Sequence, residues 1–193
     1  MHIKLTMNTY QSTQKGSSLI EVLIAILILS LGLLAMGGML SIGVLMPKLS
    51  GYRATATNLA SGHVDAMRAN PGAFADGQYS AALNETSSWS SNAIPVSSGN
   101  CSFTGTKCTA QTLAAADTNI FRNAVRRELP AGDIVVRCST NPCTSVSFGE
   151  IWVIWKEPAS VLDINSDDTC PATALSVYTN PKPKCLYVRF QIQ

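Results

Sequence analysis

"KGSSLIEVLIAILILSLGLLAMGGMLSIGVLM" runs from Lys15 to Met46. Between Val22 and Met46 no residue is charged. At about 1.5 Å per residue, a helix of that length crosses a hydrocarbon core of about 30 Å. One carboxylate, Glu21, stands at the head of the run. A carboxylate in hydrocarbon costs roughly 2.5 kcal/mol or more. Glu21 therefore needs either the membrane edge, where it snorkels, or a cationic partner. Glycines 32, 37, 38 and 43 punctuate the span. Small residues let membrane helices pack closely. The Gly37-Gly38 pair also offers a point of local loosening, since Gly costs about 1 kcal/mol against Ala in a helix.

Before this run, residues 1–16 carry Lys4 and Lys15 and no acid. The positive-inside rule then leaves the N-terminus in the cytoplasm and carries the residues after Met46 across the membrane. A cleaved secretory signal is the competing reading. Its apolar core is about 7–15 residues and ends in a small-x-small site, whereas this run is longer and flows into a helical pattern. The chain has 14 Lys+Arg and 12 Asp+Glu. Without Lys4 and Lys15 the signs balance, so no basic patch argues for nucleic acid and no partner of that class is expected.

Six cysteines, Cys101, Cys108, Cys138, Cys143, Cys170 and Cys185, all lie in the second half. An even count confined beyond a membrane segment reads as disulfides in an oxidising compartment. Zinc is the weaker alternative, because no C-x-x-C pair is present and both histidines are remote in sequence. Of the possible connectivities, neighbour pairing (101–108, 138–143, 170–185) is preferred, since each pair closes a short loop containing Gly, Pro or Asn.

After Pro47 the pattern "KLSGYRATATNLASGHVDAMRANP" places Leu49, Tyr52, Ala56, Leu59, His63 or Val64, and Met67 at helical spacing. Asn70-Pro71-Gly72 stops it, because the residue before Pro disfavours the helical region. Residues 71–111 read as a long irregular connection. "AADTNIFRNAVRRELPAGD" reads as a short helix capped by Asp117 or Thr118, with Ile120, Phe121, Ala124, Val125 and Leu129 inward. Arg122, Arg126 and Arg127 then form a basic cluster on its solvated face. The tail alternates as strands do in "DIVVRCS", "SVSFGEIWVIWKE" and "CLYVRFQIQ". In the second, Ile151, Val153 and Trp155 oppose Trp152 and Ile154. In the third, Leu186, Val188, Phe190 and Ile192 oppose Tyr187, Arg189 and Gln191. Three or four antiparallel strands packed on a long helix give an α+β fold.

Nothing here reads as an enzyme. His63 is a lone histidine on a helix, paired cysteines leave no thiol nucleophile, and no H-E-x-x-H, P-loop or G-x-S-x-G motif occurs. No cofactor is expected. "DINSDD" spaces Asp163, Asn165 and Asp167 as a calcium loop begins, but Asp168 stands at the glycine position and Ala174 at the twelfth. A polar turn is the default reading, with a looser calcium site as the weak alternative.

"KGSSLIEVLIAILILSLGLL" resembles the class III signal of type IV pilins and pseudopilins. The resemblance implies that a prepilin peptidase cuts after Gly16, removing residues 1–16 as a leader and freeing Ser17 as an N-methylated N-terminus. The family usually has Phe where Ser17 stands. Glu21 matches the family's glutamate, a registration device that meets the Ser17 amine of a neighbouring subunit. "MRANP" (67–71) and "LPAGD…WVIWKE" (129–157) are similar to the PilV type of minor pilins. The resemblance implies a transmembrane or filament-core helix over 17–46, a second stem half over 47–70 and a periplasmic disulfide-rich head over 71–193. The implied role is a minor pilin that helps initiate or modify pilus assembly and so supports motility and adhesion. Its implied partners are other minor pilins, the major pilin, the assembly platform and inner-membrane lipid. A minor pseudopilin of type II secretion, and a pilus-tip adhesin, are the alternatives.

Overall fold

The computed structural model describes residues 18–83, 108–144, 146–157, 169–177 and 182–192. The chain divides into two compact units, Met1–Met46 and Pro47–Gln193. Helix α1 (Leu19–Ala69) contributes to both. It begins where the Ser18 carbonyl accepts from the Glu21 N–H at 2.9 Å and the Val22 N–H at 3.3 Å. Within the first unit every residue of α1 from Leu19 to Val44 is exposed. Pro47 lies inside the helix, a position that removes one backbone donor and costs about 3 kcal/mol. The helix stops at Ala69, and Asn70 leaves helical geometry at φ −134°, as its place before Pro71 requires. Pro71 then opens the short helix α2 (Pro71–Ala75), where its fixed φ and missing N–H do no harm.

In the second unit α1 buries Ala56, Ala60, His63, Val64 and Met67, steps of three and four that keep one face inward. Helix α3 (Ala110–Glu128) buries Ala114, Phe121 and Val125 in the same core. It starts earlier than the Asp117 or Thr118 cap expected from sequence. Thr109 is the N-cap, its side chain accepting from the Thr112 N–H at 3.2 Å. The alanines at 110 and 114–116 are strong helix formers, so nothing delays the helix to Asp117. Ile120, expected inward, is 57% exposed. The inward stripe passes instead through Ala114, Thr118, Phe121 and Val125.

The connection from α3 into the sheet is tight. Ala131 adopts φ 51°, and a Cβ on Gly132 would lie 2.5 Å from the Val125 carbonyl oxygen. Only glycine fits there. Strands β1 (Asp133–Cys138), β2 (Phe148–Trp155) and β3 (Lys184–Gln191) form an antiparallel sheet in that order. The register sets Val135 opposite Trp152 and Ile151 opposite Val188. Gly149 faces Phe190, and any Cβ at 149 would meet the ring at 2.1 Å. The inner face (Ile134, Val136, Ile151, Val153, Trp155, Phe190) joins the helices in the main core. On the outer face Val135, Trp152, Ile154 and Cys185 pack with Ala174 of helix α4 (Ala172–Val177). Neither α2 nor α4 was expected. The fold is α+β: a long N-terminal apolar helix and a small three-stranded antiparallel sheet.

Candidate functional site

The first unit presents an unusual surface. Leu19 is 85% exposed and Leu34 78%, and the most apolar window of α1 has mean hydropathy 2.8 with none of it buried. A helix apolar all round needs lipid or other helices to cover it. It is long and apolar enough to cross a membrane. An added Cβ at Gly32, Gly37, Gly38 or Gly43 would meet nothing within 4 Å, so no described residue demands glycine there. Glu21 lies in the first turn of α1 and is exposed. A carboxylate in the first turn is favoured by the unpaired N–H groups and the positive end of the helix dipole. Gly16 and Ser17, the expected cleavage and methylation positions, lie outside the described residues.

The second unit holds a set of buried polar groups. His63 stacks on Phe121 with ring centroids 4.3 Å apart and meets the Tyr79 ring edge-on at 5.8 Å. It is 3% exposed, and its Nε2 has no hydrogen-bond partner among the described residues. Burial depresses its pKa from 6.5 to about 4, so it is neutral at physiological pH. The Tyr79 hydroxyl donates to Asp117 Oδ2 at 2.8 Å. Burial first, and that hydrogen bond second, push the phenol well above its ordinary value. Nearby Asn70 Nδ2 donates to the Ala110 carbonyl at 2.8 Å, tying the end of α1 to the start of α3.

The arginine cluster is not the solvated face expected of it. The Arg122 and Arg126 side chains are each 10% exposed and flank Asp133, at 3.1 Å and 3.5 Å. Arg122 also donates to the Ala82 carbonyl at 2.6 Å. Its Nε–H points off the line to Asp133 although the atoms are close. Burial lowers the Arg122 pKa and Asp133 opposes that shift. Only Arg127, with a side chain 75% exposed, behaves as a solvated residue. The sequence signal for this arrangement was Asp133 itself, an acid opening a strand one tight turn after the arginines. Arg122, Arg126 and Asp133 hold α3 to β1.

Disulfides join Cys138 to Cys143 and Cys170 to Cys185. These are two of the three short loops preferred from spacing. Cys108 is disulfide-bonded as well, and Cys101 lies outside the described residues. The loop within 138–143 is further tied by Thr140 and Ser147, whose hydroxyls are hydrogen-bonded. The weak calcium candidates Asp163, Asn165 and Asp167 fall outside the described residues. Among the described residues, no three His, Cys, Asp or Glu side chains are grouped to hold a metal ion.

No curated protein matches the chain. No solved structure matches it either. Residues 11–37, which include Gly16, Ser17 and Glu21, match the family model for the prokaryotic N-terminal methylation motif. That segment, set at the head of an apolar helix that no described residue covers, is a type IV pilin-like prepilin signal.

Proposed function

We propose that the chain is a minor type IV pilin of the PilV type, a structural subunit made as a membrane-anchored precursor. The observation that carries this reading is the continuity of α1. The prepilin motif at 11–37 opens a helix that stays fully exposed and apolar to Val44 and then supplies the core of a disulfide-bonded α+β unit. Cleavage after Gly16 removes the leader and leaves the apolar helix attached. The new Ser17 amine, the site of N-methylation, lies four residues before Glu21. In a stack of such helices the Glu21 carboxylate of one subunit meets the Ser17 amine of the next. In low dielectric that contact penalises wrong register strongly, even where its net stabilisation after desolvation is small. Before assembly the precursor sits in the inner membrane with its N-terminus cytoplasmic and its head periplasmic. It then enters the pilus with other minor pilins and the major pilin, through the assembly platform, and supports motility and adhesion.

Co-production with a prepilin peptidase tests the first step. Wild-type protein should shorten to an N-terminus at Ser17, read by N-terminal sequencing, and Gly16→Phe should stay full length. Cleavage of Gly16→Phe at the same rate would remove the reading. Recovery of the protein in sheared surface filaments supports a pilin. Its confinement to the envelope of a strain secreting through a type II system favours the pseudopilin alternative.

A further inference from the structure

We propose that the free edge of β3 is a docking strand for an extended, acidic segment of another protein chain. The hydrogen-bond parity of the sheet supplies the first observation. Ser139 and Phe148 continue the β1–β2 register, and the Ser139 N–H donates to the Phe148 carbonyl at 2.8 Å. Antiparallel pairs alternate between bonded and non-bonded, so Arg137–Glu150, Val135–Trp152 and Asp133–Ile154 are the bonded pairs of that ladder. The opposite side of β1 agrees: Val136 and Ala81 exchange both backbone bonds at 2.8 Å. On β2, residues 149, 151, 153 and 155 then bond to Phe190, Val188, Leu186 and Lys184. The N–H and C=O groups of Tyr187, Arg189 and Gln191 must point away from the sheet. All three residues are exposed, and no described backbone group pairs with them. One edge of the sheet is thus bridged by Ala81, and the other is open among the described residues.

An open edge is a template for another strand. Donors and acceptors recurring every two residues, at about 6.6–6.8 Å, are matched by an extended polypeptide and not by lipid or nucleic acid. The side chains beside the edge set the partner's charge. The Arg189 guanidinium lies 4.1 Å from the Phe148 ring centroid and has no carboxylate partner among the described residues. Lys182, exposed just before the strand, also has none. Glu150, the carboxylate on this face, already accepts from Arg137 Nε at 2.9 Å and from the Tyr187 hydroxyl at 2.9 Å. Both ends of the edge therefore offer a cation with no carboxylate partner among the described residues, and an incoming strand meets them best with Asp or Glu.

The test uses the full chain in detergent micelles with two capped peptides, (Glu-Val)4 and (Lys-Val)4, labelled for fluorescence anisotropy. Amide exchange at residues 186–191 is followed by NMR. The acidic peptide should bind and slow exchange at Tyr187, Arg189 and Gln191 by about tenfold or more, while the lysine peptide does neither. Leu186, Val188 and Phe190 should be protected with or without peptide. Arg189→Glu, a solvent-facing change, should weaken binding of the acidic peptide about tenfold. Equal binding of both peptides, or exchange at the three outward amides unmoved by the acidic one, would overturn the proposal. So would protection of those amides without peptide: if dilution abolished it, a second copy would be the occupant, and if not, the chain would cover its own edge.

Discussion

In the first unit, α1 from Leu19 to Val44 exposes large aliphatic side chains on every face, whereas in the second it turns Ala56, Ala60, His63, Val64 and Met67 into a packed core. The two stretches belong to one helix and answer to different surroundings. Where the chain supplies its own cover, small residues at 56 and 60 let other elements approach closely, and one face suffices. Where no described residue covers it, Leu and Ile fill the whole circumference. The contrast separates what holds the head together from what the stem is for.

The largest expected effect lies on the covered side. Met67 has no exposed surface, and Met67→Ala should destabilise the head by about 2–5 kcal/mol through the cavity it leaves. Thermal unfolding of the detergent-solubilised chain, followed by tryptophan fluorescence, reports this, because Trp89, Trp152 and Trp155 all lie beyond the stem. A change under about 0.5 kcal/mol would mean that the stem does not share the head's core.

Next comes the pH dependence of the same seam. His63 has a folded pKa of about 4 against an ordinary 6.5. Between those values the unfolded chain binds more protons, so stability is complete above about pH 6.5 and declines as pH falls toward 4. The loss is on the order of 3 kcal/mol. The groups facing the ring are Tyr79 and Phe121, with Asp117 reached through the Tyr79 hydroxyl. His63→Phe should flatten the stability profile through this window, and an unchanged slope would mean that the imidazole is not buried neutral.

The smallest effect lies on the uncovered side. Leu29 is 63% exposed, and Leu29→Ala should leave head unfolding within about 0.5 kcal/mol of wild type. A larger shift would erase the distinction between the two stretches.

How much of the fold and the site was legible in the sequence depends on the range of each interaction. The uncharged run to Met46, the stop at Asn70-Pro71 and the alternation of β2 and β3 are local signals, and the structure follows them. Leu186, Val188 and Phe190 do turn to the core while Tyr187 and Arg189 face outward. The features that escaped depend on residues distant in the chain. Asp133 draws Arg122 and Arg126 out of solvent only because the tight turn at Ala131-Gly132 folds β1 back along α3. Thr118 looked like a cap because its polar side chain invites that role, but it is buried and donates to the Ala114 carbonyl within the helix. Helix α4 is too short to show periodicity, and Ala174 packs with Trp152 and Ile154, residues about 20 positions earlier in the chain. The prepilin signal is of the opposite kind. It is wholly local, read by chemistry outside the chain, and legible without any fold.

Glu21 carries the central claim, that the apolar stretch of α1 is completed by other subunits in register. The direct measurement compares Glu21→Leu with wild type in the membrane fraction and in sheared filaments of the same cells. Glu21→Leu should reach the membrane in equal amount with normal leader removal, and at least about tenfold less of it should be found in filaments. Equal incorporation into filaments would mean that Glu21 does not register the helices.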